Sequence, residues 1–376
     1  MKRYAGEALE PGFRVAVVAN DALGNFVVST PLLQMLRSAG AGHVAYFGGK
    51  RTWEFIAASG TPSCKGEDSG TPLSCAPEPG STAEARAEER GRGRGDGPLI
   101  DYGFPLFGPE PSESLKALTG DYDLVVNIEV SMLAKVAAAA LAGDSGYVAG
   151  PSLGLEGRGE LPFPDDEVGR LWADQDWTAA DLTQRYASLK SGFIGEIFCR
   201  GAYLKGDIPP YRVPESAPSQ PIPDVLIATS ASLPEKLWTL DGWRESLLFL
   251  RAKGKTCGLI GAKPSDQNRY WQGAMLEDRL VSEGLVEDLR GAFTLPQVVG
   301  ALRKCKAVLT LDNGILHLAC AAEKPTVGLF REGIHRLWAP PSPRLTVLIP
   351  EPEQAVAMIE PNRVIAELEK SITMDP

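Results

Sequence analysis

Little in this sequence is suited to crossing a membrane, gripping a metal or cross-linking itself. No apolar run among its 376 residues reaches the roughly 20 residues that a spanning helix needs. The opening MKRYAGEALEPGF lacks the apolar segment of a secretory leader. A cytoplasmic protein with no transmembrane segment is therefore expected. The six cysteines, at 64, 75, 199, 257, 305 and 320, form no CxxC pair or other compact ligand spacing, and there are only three histidines. Reduced thiols and no structural zinc are the expectation. Excess basic charge is missing too: the net charge is −10, which speaks against a broad nucleic-acid-binding face.

What remains is a folded globular chain, 44% hydrophobic and 23% charged, long enough for two domains with a core each. Its most informative stretch is 309–330, LTLDNGILHLACAAEKPTVGLF. Apolar residues ending at Leu311 predict a buried strand, Ile315–Ala322 a small-residue helix that Pro325 stops, and Thr326–Phe330 another strand. The first strand hands over at Asp312, Asn313 and Gly314, where unpaired helix N–H groups and the dipole end can hold an anion. His317 follows one turn later. Asp312 or Asn313 can equally be a plain N-cap, and His317 a tethered structural histidine.

The chain opens in the same style. Arg14–Ala19 predicts a buried strand, Asn20 to Asn25 a glycine-containing turn, and Phe26–Ala39 a helix, with a strand at His43–Phe47 and a helix at Trp53–Ala58. Residues 62–98 then lose apolar content, and EARAEERGRGRGDG reads as a disordered insertion, or as a basic acceptor-recruiting loop built on Arg90, Arg92 and Arg94. Tyr122–Ile128 predicts a strand and Ser131–Leu141 an Ala-rich helix. Glu129, at that strand's end beside Asn127, is either a capping carboxylate or a base. The Pro-rich segment 209–223 divides the chain into domains 1–215 and 224–376. Beyond it, strands are expected at Val225–Thr229 and Thr256–Ile260, with helices at Val281–Leu289, Leu295–Lys304 and Pro361–Ile372.

The run Asp312-Asn313-Gly314, His317, Ala319, Pro325 and Gly328-Leu329-Phe330 resembles the D-[ST]-G-x-x-H signature of glycosyltransferase family nine, the ADP-heptose heptosyltransferases, with Asn in place of Ser or Thr. Leu23, Gly24, Ser29, Thr30, Pro31, Leu32 and Leu33 resemble that family's opening motif, and Lys236, Trp238 and Trp243 its K-x-W segment. The resemblance implies an α/β GT-B fold: two facing Rossmann-like domains with parallel sheets, and a C-terminal helix returning to the first. It implies an inverting, metal-independent transfer of a sugar, heptose from ADP-heptose in that family, from a nucleotide-diphospho-sugar to a glycan, lipid-linked or small-molecule hydroxyl.

Donor binding is then expected at Lys236, Asp312, Asn313, Gly314, His317, Thr229 and Gly261, with Asp312 fixing its own turn by accepting backbone N–H bonds. Gly24 would lie in the acceptor-side loop. The family's catalytic Asp falls on Asn25, and an amide takes no proton near neutral pH. Glu129, which ends a strand, is left as the base by position, ahead of Asp21 in the first turn. Two rivals follow: a catalytically silent sugar-nucleotide binder, and a nucleotide-sugar epimerase of the same fold.

Overall fold

The computed structural model describes residues 1–58, 98–107, 117–118, 122–154, 159–263, 265–266 and 273–373; the expected insertion and its arginines lie outside these, save Pro98. The chain forms two compact units, Met1–Trp177 with Leu182–Pro210, and Tyr211–Pro376 with Thr178–Asp181.

In the first unit the β-branched run Arg14–Val18 forms β2, after the two-residue β1 (Lys2–Arg3). β3 is His43–Gly49, β4 Tyr102–Phe107, β5 Leu124–Asn127 and β6 Tyr147–Ala149. All pair in parallel, in the order β1-β6-β5-β2-β3-β4. β2 and β5 are almost wholly buried, as expected of a parallel sheet covered on both faces. β4 was not foreseen; it is an edge strand, the place where its Pro105 is tolerated.

The second unit repeats the plan. Its strands are β7 (Val225–Ala228), β8 (Cys257–Leu259), β9 (Glu287–Asp288), β10 (Ala307–Leu311), β11 (Thr326–Leu329) and β12 (Leu345–Leu348). They run β12-β11-β10-β7-β8-β9, again all parallel. Counted from β7 this is the doubly wound order 3-2-1-4-5-6, whose direction reverses between β7 and β10. In the first unit the reversal falls between β2 and β5.

Two expectations need correcting. Val281–Leu289 is not a helix: the helix Gly273–Ser282 ends there, Gly284 turns the chain at φ +66°, and Glu287–Asp288 forms the edge strand. Glycine at a positive φ is a common helix stop. The helix Pro361–Thr373, expected to return to the first domain, belongs to the second unit. Its Val364 and Leu368 are buried in the same core as Trp243, Leu309 and Val327.

The helix Leu23–Ser38 carries Pro31 in its interior. Proline has no N–H to offer the carbonyl four residues back, which is Val27. Thr30 Oγ1 donates to Val27 O at 2.8 Å instead, in a fully buried setting. Thr30→Val, which deletes that donor at constant shape, should lower stability in urea titrations by about 1–3 kcal/mol, and Thr30→Ser by clearly less. Equal losses in both would show that the hydroxyl is not what matters.

Candidate functional site

The polar residues of the second unit gather where β7 and β10 end. Thr310 lies opposite Ala228 across the parallel pair, so Thr229 and Ser230 leave the sheet beside Asp312 and Asn313. In a doubly wound sheet that crevice is where ligands bind.

Asn313 organises it. As N-cap of the helix Gly314–Ala321 its Oδ1 accepts from Ile315 N at 2.9 Å and Leu316 N at 3.3 Å, and from Thr310 Oγ1 at 3.2 Å. Its Nδ2 donates to Ser230 O at 3.0 Å. A Ser or Thr cap has one oxygen; the amide caps the helix with one atom and straps the β7 exit with another. Two of the N–H groups expected to await an anion are thus already engaged. Gly314 is the first residue of the helix.

The cation is Lys236, closing the short turn Pro234–Lys236. Trp238, 2% exposed, donates its indole N–H to Ile359 O at 2.8 Å and stands edge-on to Trp243 at 5.3 Å. Gly242 passes against it where a Cβ would meet the indole at 2.5 Å. Thr239 caps the helix Leu240–Ala252 that follows. Held this way, Lys236 Nζ donates to Asp312 Oδ2 at 2.6 Å and, more distantly, to Asp312 O at 3.4 Å. The Asp312 carboxylate is therefore the lysine's partner, and the turn-fixing role expected of it belongs to Asn313. An ammonium has three donors, which leaves Lys236 capacity for an anion.

His317 is 2% exposed. Its Nδ1 lies 3.2 Å from Tyr211 Oη, and Trp338 stands edge-on at 6.2 Å. Burial lowers its pKa from 6.5 to about 4; Asp312 opposes this and Lys236 adds to it. The ring is neutral near pH 7 and is not one of the site's cations. Thr229 is also inward: its hydroxyl donates to the buried Glu277 at 2.8 Å, and Glu277 is met by Arg290 at 3.2 Å. Gly261 follows β8, where a Cβ would meet nothing within 4 Å.

In the first unit the candidates flank the other switch point, where Val18 of β2 lies opposite Asn127 of β5. Asn20 Oδ1 accepts from Ala22 N at 2.9 Å, and Ala22, not Asp21, is the N-cap of the helix Leu23–Ser38. Gly24 and Asn25 are that helix's second and third residues, so Gly24 is helical and not in a loop. Glu129 lies two residues past β5, and its Oε1 accepts from Val130 N at 3.0 Å and Ser131 N at 3.1 Å. Buried Asn127 anchors this exit by accepting from Glu129 N and donating to Pro151 O at 2.7 Å. Gly150 must be glycine here, since its φ is +83° and a Cβ would lie 1.9 Å from Asn127 O.

Sequence reading missed Ser230, Tyr211 and Arg331, whose guanidinium donates to Glu235 Oε1 at 3.4 Å beside Lys236. An aromatic inside a Pro-rich segment and a base directly after a strand were the available signals. Among the described residues no group of three or more His, Cys, Asp or Glu is placed to hold a metal ion, and no described helix is long and apolar enough to cross a membrane.

Residues 211–363 match the family described as Glycosyltransferase family 9 (heptosyltransferase). A comparison with curated proteins gave no match. Among solved structures the chain is similar to the family 9 glycosyl transferase of Veillonella parvula DSM 2008, at 14% identity and TM-score 0.63, covering 97% of this chain and 99% of that one. It is also similar to E. coli ADP-heptose lps heptosyltransferase II, at 16% identity and TM-score 0.57, covering 96% and 98%. E. coli heptosyltransferase WaaC with ADP matches at 15% identity and TM-score 0.56, over 95% and 99%, and the same protein has been solved with ADP-2-deoxy-2-fluoro heptose. Likeness at such identities is likeness of fold, and it places the two parallel α/β units in the GT-B class.

The buried ring makes a pH prediction. Folded His317 titrates at about 4 and an unfolded histidine near 6.5, so between those values the unfolded chain binds more protons. Stability contributed here falls as pH drops through that window, by up to roughly 3 kcal/mol. His317→Gln should flatten the loss in urea midpoints between pH 7 and pH 4.5. An unchanged pH dependence would mean that the ring is not buried neutral.

Proposed function

We propose that this chain, whose residues 211–363 match glycosyltransferase family 9, transfers a sugar, heptose from ADP-heptose in the reading favoured here, to a hydroxyl acceptor with inversion. The observation that carries the donor half is the Lys236 ammonium fixed at the β7–β10 switch point by Asp312. The E. coli relative WaaC, solved with ADP and with a fluorinated ADP-heptose, supports an adenine nucleotide.

In this proposal the acceptor oxygen attacks the anomeric carbon, the bond from that carbon to the diphosphate breaks, and the diphosphate leaves with the electron pair. Its growing charge is met by Lys236, by Arg331, and by the N-terminal end of the helix Gly314–Ala321. No metal is required of this scheme. The base assigned to the acceptor proton is the Glu129 carboxylate. A cytoplasmic location belongs to the same proposal and accords with the buried free thiols among the described residues, Cys199, Cys257, Cys305 and Cys320.

A silent sugar-nucleotide binder is the second reading. It is favoured by the amide at Asn25 and by the two backbone N–H groups that already occupy Glu129 Oε1.

Removing Lys236 alone leaves Asp312 buried without its partner, so the informative pair is Lys236→Met and Lys236→Met/Asp312→Asn. Both should bind ADP about 1–3 kcal/mol more weakly in calorimetry; unchanged affinity would remove the donor site from this turn. Glu129→Gln keeps an oxygen for the two loop N–H groups and removes the base. Turnover should fall by about 10²–10⁴ with ADP affinity preserved. Normal turnover in Glu129→Gln would end its assignment as base, and absence of any turnover or slow donor hydrolysis in the native chain would favour the silent binder.

A further inference from the structure

Tyr211 opens the main segment of the second unit, in a stretch that reads as linker, yet its side chain is half-buried against the cluster that includes Leu316 and Cys320 of the helix Gly314–Ala321. Its hydroxyl oxygen lies 3.2 Å from His317 Nδ1, and the two rings meet edge to face with centroids 6.0 Å apart. Trp338 meets the same imidazole at 65°. Leu316, Cys320 and Phe330 form the apolar cluster against which Tyr211 and Trp338 pack. The imidazole is thus held by aromatic neighbours and by one polar atom.

The direction of that hydrogen bond decides what the imidazole can do. Burial keeps both partners uncharged, raising the Tyr211 pKa well above 10 and lowering that of His317. A neutral imidazole has one N–H and one bare nitrogen. A phenol is a strong donor and a weak acceptor, because its oxygen lone pair is shared with the ring, whereas a bare imidazole nitrogen is a strong acceptor. The favoured pairing is O–H to Nδ1, which leaves the proton on Nε2.

We propose that Tyr211 is a positioning residue: by donating to Nδ1 it holds His317 as the Nε2–H tautomer, so that the ring offers the leaving diphosphate an uncharged hydrogen-bond donor. This rests on the donor site proposed above. Lys236 then supplies charge and His317 direction. The charged groups that act on the ring are Asp312 and Lys236, already paired with one another, so the donor does not titrate across neutral pH.

The test is long-range proton–nitrogen NMR of the histidine rings at pH 7 without ligand, with His317→Gln assigning one of three ring patterns. The native chain should show His317 protonated on Nε2 with Nδ1 accepting a hydrogen bond. Tyr211→Phe, which removes only the hydroxyl, should give a tautomer mixture and weaken ADP binding about tenfold, the loss of one such bond. A native ring protonated on Nδ1, or a Tyr211→Phe ring with unchanged tautomer, overturns the proposal. A changed tautomer with unchanged ADP affinity overturns the contact with diphosphate. If the native chain binds none of ADP, UDP or GDP, the donor reading fails, while the ligand-free ring pattern still decides the role of Tyr211.

Discussion

The polar edge of the second unit depends on one ion pair, Lys236 with Asp312, 15% and 5% exposed and 2.6 Å apart. A pair so nearly buried is a weak source of stability, because the Coulomb gain is largely offset by desolvation. Its consequence is positional. It draws the turn after β7 against the turn after β10, and Asn313 repeats the tie through Ser230. The anchors behind it are apolar or neutral: Trp238 on Ile359 O, Trp243 in the core, and Thr239 at the following helix. Charge at the crevice is held in place by groups that carry none.

The same logic explains what was legible in the sequence. β2, β5, β7 and β10 are central strands, buried on both faces, and their unbroken apolar runs announce them. β1, β4, β9 and β12 lie at or toward the sheet edges, are short or interrupted, and carry no such signal; a two-residue strand such as Glu287–Asp288 is set by its neighbour, not by its own composition. Lys236 and the Asp312–His317 run could be placed because strand, turn and helix follow one another in a few residues. Their roles could not, since whether Asp312 faces a backbone N–H or a lysine 76 positions away is decided only when the two turns meet.

His317 shows the limit most clearly. Sequence spacing puts it one turn into a helix whose start suits an anion, and a histidine there invites reading as a cation. Packing by Tyr211 and Trp338 keeps it neutral instead. In the first unit, Asn25 sits in the opening turn of the helix Leu23–Ser38, and Glu129 lies two residues past β5, the neighbour of β2. Both therefore lie at the reversal point of their own sheet, where a doubly wound unit presents its ligand-binding edge.

Placement of the donor nucleotide at the second unit's switch point is most directly read from backbone amide shifts during titration of labelled protein with ADP. The changes should centre on residues 229–236 and 312–317, with Lys236 and Gly314 among the largest. Changes centred instead on residues 20–25 and 127–131, or none with any nucleoside diphosphate, would contradict it.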